Sequence, residues 1–140
     1  MDHTLHYLLM ADHMMLQKRL FAALRGSGLT LGQPKVLDYL KEHDGAMQKQ
    51  IARGCHIEPA SLSTILAGME KRGLIARRTV GASRRNLHVF LTERGRTQLA
   101  AISAHFEEIE QAALAGFSEE ERRVFWAYLM RVYENFGGER

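Results

Sequence analysis

The sequence predicts a mainly α fold with a small β-ribbon, an α+β arrangement. Three observations predict it. Between Leu29 and Leu99 the chain reads helix, helix, helix, a two-stranded ribbon with arginines at its tip, and helix again. Small polar residues, Ser61, Ser63 and Thr64, stand on one side of a helix whose other side is apolar. Basic residues collect immediately after that helix. Helix-turn-helix followed by a basic hairpin is the order of a winged helix-turn-helix lobe.

The elements follow from periodicity and punctuation. Asp2–Leu24 carries Leu5, Leu9, Leu16 and Leu20 at helical spacing, with Leu8, Met15 and Phe21 widening the stripe, and Gly26-Ser27-Gly28 ends it. Thr30 is placed to cap a second helix with Pro34 in its first turn, where a missing N–H costs nothing. Val36, Leu37 and Leu40 face inward, and Asp44-Gly45 stops that helix. A third runs from Gln48 to Arg53, with Gly54 as the tight turn. Pro59 opens the fourth, whose inner face is Leu62, Ile65, Leu66 and Met69 and whose end is Gly73. Ile75–Val80 and Asn86–Leu91 read as strands around Gly81-Ala82-Ser83-Arg84, with Leu87, Val89 and Leu91 alternating. Thr92 caps a fifth helix bearing Leu99, Ile102, Phe106, Ile109 and Ala113. Ser118 to Glu121 is a capping box that opens a sixth. The chain thus divides into an N-terminal helix (1–28), a winged lobe (29–96) and C-terminal helices (97–140). The terminal helices carry more apolar surface than one small domain hides, so they either fold back on their own chain or pair with a second copy as a homodimer.

The totals narrow the function. The chain has 140 residues, 46% hydrophobic and 25% charged, an ordinary soluble composition. No apolar run approaches the ~18 residues of a membrane span, and the N-terminus lacks the basic region of a signal peptide. A single cysteine, Cys55, excludes an internal disulfide and fits a reducing cytoplasm. Net charge is only +3, but its distribution is uneven. Lys71, Arg72, Arg77, Arg78, Arg84, Arg85, Arg94 and Arg96 face Glu93 alone, whereas Glu107, Glu108, Glu110, Glu119, Glu120 and Glu121 form an acidic stretch. The sequence holds no nucleophile–base set, phosphate-cradling glycine loop or complete metal motif, so neither an enzyme nor a cofactor is expected.

The words LTLGQPKVLDYL (Leu29–Leu40), QKQIA (Gln48–Ala52), SLSTILAGMEKRGLIARR (Ser61–Arg78) and SRRNLHVFLTERG (Ser83–Gly95) carry a family likeness. In order and spacing the chain resembles the MarR family of bacterial transcriptional regulators from Leu5 to Phe136. The resemblance implies a homodimer built on the terminal helices. It also implies a pseudo-palindromic double-stranded DNA operator, usually repression, and release by a small phenolic or otherwise aromatic effector. Some members sense oxidants through cysteine, and a few sense metals. Three positions depart from the family's pattern. Ser83 replaces the acid of the wing's Asp-x-Arg, while Arg85 is kept. Met47 replaces a capping Ser or Thr, worth ~1 kcal/mol. Cys55 stands where an apolar residue is expected.

The candidate DNA-binding residues follow. Pro59, Ala60, Ser61, Ser63 and Thr64 are small enough to let a helix enter a major groove ~12 Å wide, and the hydroxyls reach base edges or phosphates. The competing reading is that these serines only cap and solvate the helix. Arg84 and Arg85, at the ribbon tip, suit a minor groove. Arg77 and Arg78 lie on opposite faces of their strand, one meeting phosphate and the other solvent or an acid. Gln33, Gln48 and Lys49 are placed for backbone contacts. With no Arg, Asn or Gln on the fourth helix before Lys71, hydroxyls, water, DNA shape and the wing carry much of the specificity. For an effector, His3, His6, Met10 and His13 share one face of the first helix with Tyr7 and Met14 beside it. His6, Tyr7, Met10, His13 and Met14 make a mix suited to an aromatic ligand, the competing reading being a mixed polar edge packed on a partner. Their spacing matches no compact zinc motif, so no metal is assigned. Cys55 reads either as an inert buried thiol or as a redox switch activated by Arg53 and His56. An architectural DNA-binding protein without an effector is the remaining alternative.

Overall fold

A computed structural model describes residues 2–82 and 85–140 of the chain. The described residues form six helices and one two-stranded antiparallel sheet, and none of the helices is long and apolar enough to cross a membrane. The chain divides into two compact units, Met1–Phe106 and Glu107–Arg140.

In the first unit, α1 spans Leu5–Ala23, and the Thr4 hydroxyl accepts the Tyr7 N–H at 3.3 Å. The Gly-Ser-Gly stop works through its serine. Ser27 donates to the Leu24 carbonyl at 2.6 Å and accepts the Leu29 N–H at 3.1 Å. Helix α2 spans Gln33–Glu42 and is capped by Gly32, not by Thr30 as the sequence predicts. Gly32 sits at φ 87, and a Cβ there would lie 2.5 Å from Ile65 Cδ1, so this entry admits glycine alone. The Thr30 N–H is instead held by the Gln33 carboxamide oxygen at 3.2 Å.

Helix α3, Gln48–Cys55, runs through Gly54. The predicted turn falls at His56, a non-glycine residue at φ 53. Gly54 serves packing instead, since a Cβ there would come 2.2 Å from Cε2 of the Tyr39 ring. The capping function that Met47 cannot supply is partly recovered by Gln50, whose Oε1 accepts the Met47 N–H at 2.9 Å. Helix α4, Pro59–Lys71, buries Leu62, Leu66 and Met69 completely.

Strands β1 (Ile75–Thr79) and β2 (Leu87–Leu91) pair from Ile75 opposite Leu91 to Thr79 opposite Leu87. A third segment joins them unannounced by any sequence pattern. The Gly45 N–H donates to the Val89 carbonyl at 2.8 Å, the Val89 N–H to the Ala46 carbonyl at 2.9 Å, and Met47 bridges His88. Helix α5, Glu93–Ala113, starts as predicted under Thr92, which accepts the Gly95 N–H at 3.0 Å and donates to the Gly73 carbonyl at 2.6 Å. The core of this unit gathers Val36, Leu37, Leu40, Ile51, Leu62, Leu66, Met69, Val89 and Ile102, from every element between α2 and α5 except β1, which adds Ile75 at its edge. Burying these side chains contributes roughly 1.5–3 kcal/mol each.

In the second unit, α6 spans Glu119–Asn135 behind the predicted capping box. Ser118 Oγ accepts the Glu121 N–H at 3.1 Å, and Glu121 accepts the Ser118 N–H at 2.8 Å. Arg122 donates to the Leu114 carbonyl at 3.2 Å, and Phe117 meets Phe125 edge-on with ring centres 5.9 Å apart. No residue of α6 is buried.

The start of α5 leaves no room above Gly95, where a Cβ would fall 2.0 Å from the Leu74 carbonyl oxygen, a backbone atom that cannot swing aside. Gly95→Ala is expected to destabilise the protein by about 2–3 kcal/mol and lower its Tm by about 5–10 °C. Thermal unfolding followed by circular dichroism checks this, and an unchanged Tm would show that the helix start shifts freely.

Candidate nucleic-acid interface

One face of α4 builds the site. Leu62, Leu66 and Met69 fix that helix against the core, so the intervening positions are forced outward. Pro59, Ala60, Ser61, Ser63 and Thr64 are all exposed. The start of α3 lies beside them, where Gln48 Nε2 donates to Ser63 Oγ at 2.9 Å. Thr64 Oγ1 turns back to the Ala60 carbonyl at 3.4 Å.

A cavity of about 520 Å³ opens between the two helices and the ribbon. Met47 lines it from the cap of α3, Gln48 and Lys49 from α3 itself, Pro59, Leu62 and Ser63 from α4, and Arg85, Asn86 and Leu87 from the segment that leads into β2. A small hydroxyl residue, a lysine and the arginine before β2 therefore border one concavity. Arg84 and Ser83 lie outside the described residues.

The ribbon is fastened beside α4 by polar contacts that the sequence reading missed. Asp44 was read only as part of a helix stop. Its Oδ1 accepts the Leu91 N–H at 2.8 Å, and its Oδ2 takes Arg96 Nη2 at 2.7 Å. His88 Nδ1 lies 2.7 Å from the Gly45 carbonyl. The only sequence signal for this was an Asp-Gly pair whose partners lie more than forty residues away.

Two of the candidate residues are engaged within the protein, and one of them, Gln33, departs from the expectation of a surface contact. Gln33 is 4% exposed and holds the Thr30 N–H, so it braces the entry to α2 and is withdrawn from the surface. Arg77 is committed to Glu70. Its Nε lies 3.3 Å and its Nη2 3.4 Å from the carboxylate, and its N–H donates to the same group at 3.2 Å. These hydrogen bonds hold the Glu70 carboxyl below the usual range. Of the two strand arginines, Arg77 is thus the one that meets an acid. Arg78 stays exposed, its guanidinium 4.0 Å above the Phe90 ring. Lys49 is exposed and makes no ion pair among the described residues.

The candidate effector residues lie on α1. His6, Tyr7, Met10, His13 and Met14 are all exposed, and Tyr7 stacks on His3 with ring centres 4.5 Å apart. Among the described residues no group of three His, Cys, Asp or Glu is placed to hold a metal ion. Cys55 is 2% exposed, and its thiol points to the Lys35 carbonyl at 3.7 Å. Burial pushes its pKa up to about 11, the opposite of what an activated thiolate needs.

Comparison with known proteins agrees with this geometry. The MarR family model matches residues 27–86. Over 138 residues the chain is 30% identical to an HTH-type transcriptional repressor of Mycobacterium tuberculosis, covering 99% of this chain and 96% of that one. It is 31% identical over 104 residues to the transcriptional regulator HosA of Escherichia coli, covering 74% of this chain and 77% of the relative. Among solved structures, the S. aureus MepR–DNA complex matches with a TM-score of 0.85 and 29% identity, over 96% of this chain and 99% of that one.

The Cys55 environment sets a pH dependence. An unfolded thiol releases its proton near its ordinary value of 9.0, while the folded one holds it to about 11. The stabilisation is complete below the ordinary value and is lost as pH rises through the folded one. Wild type is therefore expected to lose stability more steeply than Cys55→Ala above that ordinary value, as measured by urea unfolding at stepped pH. Parallel losses in the two proteins would refute the assignment.

Proposed function

The chain belongs to the MarR family of DNA-binding transcriptional regulators, which are not enzymes, and from that premise we propose that it works in the cytoplasm as a homodimeric repressor. It would sit on a pseudo-palindromic operator and leave it when a small aromatic or phenolic ligand binds. The observation that carries this reading is the concavity shared by α3, α4 and the ribbon. Groove-sized side chains on α4 stand beside Lys49 and Arg85, which supply the charge for phosphate or minor-groove contacts.

The terminal segments, 1–28 and 97–140, are proposed to hold the dimer. Leu5, Met10, Met14 and Met15 on α1 are 55–72% exposed. Trp126, Tyr128 and Phe136, in and just after α6, are 49–75% exposed. A second copy would cover these faces, and a two-fold axis in the protein matches an inverted repeat in the DNA. The exposed His6, Tyr7, Met10, His13 and Met14 offer an aromatic ligand both stacking and soft apolar contact.

Selection from random duplex DNA by the purified protein is expected to return an inverted repeat with half-sites about one helical turn apart. Lys49→Ala and Arg85→Ala should each weaken binding to every sequence alike and reduce the slope of log K against log salt by about 1. Recovery of sequence-blind binding alone would overturn the regulator reading. For the dimer, Met14→Glu combined with Trp126→Glu is expected to give monomers by light scattering and to weaken operator binding at least tenfold. A dimer that survives both charges would remove the terminal faces from the interface.

A further inference from the structure

The hydrogen bond between Gln48 and Ser63 has a direction, and direction matters at a base edge. A serine hydroxyl has one proton to give and two lone pairs to receive with. The Gln48 carboxamide donates to Ser63 Oγ at 2.9 Å, so one lone pair is already filled from the protein side. The Ser63 proton has no acceptor among the described residues, and the side chain is exposed on the outward face of α4. A hydroxyl that accepts a hydrogen bond is polarised into a better donor and a poorer acceptor. Gln48 is only half-buried, but it borders the same cavity as Ser63 and Arg85, next to the ribbon.

Thr64 has the opposite arrangement. Its proton turns toward the Ala60 carbonyl at 3.4 Å, as helical threonines commonly do, which leaves its lone pairs outward. The two neighbouring hydroxyls therefore leave α4 with different polarity, although the sequence writes them as nearly equivalent residues.

We propose that Gln48 is a specificity-positioning residue that makes Ser63 a proton donor to a base edge, so that cytosine is disfavoured at one position of each half-site. In the major groove guanine offers N7 and O6, thymine O4 and adenine N7 as acceptors, while cytosine offers only its N4 amine, a donor. A polarised Ser63 hydroxyl donates well to any of the first three, whereas toward cytosine it has only its one remaining lone pair, which the Gln48 hydrogen bond makes a poorer acceptor. This inference rests on the reading of α4 as the helix that enters the groove. It adds which base edge the helix refuses, and why.

The test is selection from random duplex DNA with the full-length protein and its variants at Gln48 and Ser63, scored position by position. Wild type is expected to disfavour cytosine at one half-site position by about three- to tenfold, the size of one net hydrogen bond. Gln48→Ala and Ser63→Ala should flatten that position and leave the rest of the site unchanged. Gln48→Glu carries the sign. A carboxylate only accepts, so it takes the Ser63 proton, turns the lone pairs outward and should convert the exclusion of cytosine into a preference for it. A carboxylate at position 48 that reached the base would itself accept from cytosine N4, so the preference counts for Ser63 only if it disappears when Gln48→Glu is combined with Ser63→Ala, and its persistence there overturns the assignment to Ser63.

If the variants bind more weakly but keep the wild-type base profile, Gln48 is merely a brace between α3 and α4 and the inference fails. If Gln48→Glu does not fold, the flattening by Ser63→Ala and Gln48→Ala still decides. If wild type enriches no site at all, the regulator reading itself has failed, a result distinct from an enriched site that ignores Gln48.

Discussion

The pairing of Gly45–Met47 with β2, locked by Asp44, is the constraint on which the rest of the site depends. Residues 45–47 belong to the connection between α2 and α3, and β2 belongs to the ribbon. Two backbone hydrogen bonds with Val89 register one against the other. The Asp44 carboxylate then spans three segments, accepting from Leu91 on β2 and from Arg96 on α5 while sitting at the end of α2. A ribbon of two five-residue strands is marginal by itself. Stitched to the helical core at one strand, it takes a fixed place beside α4, and the concavity between them follows. The exposed Asp44–Arg96 charge pair contributes little as an isolated ion pair. Its value lies in geometry, because the same carboxylate also accepts a backbone N–H.

This framework decides how the charge is spent. The basic segment looks in sequence like a broad cationic patch. In the structure Arg72 donates to the Ser27 carbonyl, Arg77 is held by Glu70, Arg78 covers Phe90 and Arg96 is on Asp44. Four of the eight cations thus make contacts within the fold, which leaves fewer uncommitted to phosphates than the sequence suggests. A protein that neutralises few phosphates gains less sequence-blind affinity. More of its binding must then come from fit at the base edges and from DNA shape. The hydroxyl chemistry of α4 carries correspondingly more weight.

The elements from α2 to α5 were legible as periodicity because each buries side chains against one core, and α1 and α6 were legible from the same spacing although their apolar stripes stay largely exposed. The starts of α5 and α6 were legible too, since Thr92 and Ser118 cap through local contacts spaced three residues apart. What failed was local punctuation under tertiary control. Gly54 signalled a turn but is helical, because Tyr39 needs the space above it. Thr30 signalled a cap, but the tight approach of Ile65 put Gly32 there instead. The outward face of α4 and the place of Lys49 were readable from spacing alone. The roles of Gln33, Arg77 and Asp44 were not, because each is set by a partner in another element or by burial that composition cannot express.

The terminal helices show the same logic from the opposite side. Leu20 and Leu24, at the end of α1, are buried, whereas Leu5, Leu8, Met10, Met14, Met15 and Leu16 before them are exposed. One helix is thus anchored at its C-terminal end and uncovered over most of its length. Helix α6, seventeen residues long without one buried side chain, is more extreme. A helix of that length with no packed face is marginal in water whatever its caps, because helix stability in proteins comes from covering the apolar stripe. Phe125, Trp126 and Tyr128 are 40–59% exposed, and three neighbouring exposed aromatics on one helix mark a surface that a partner would cover. If a second copy provides the cover, folding of the terminal helices and association are one equilibrium. The melting temperature then rises with protein concentration, and the spacing between two DNA-reading lobes is set by the same contacts that keep α6 folded.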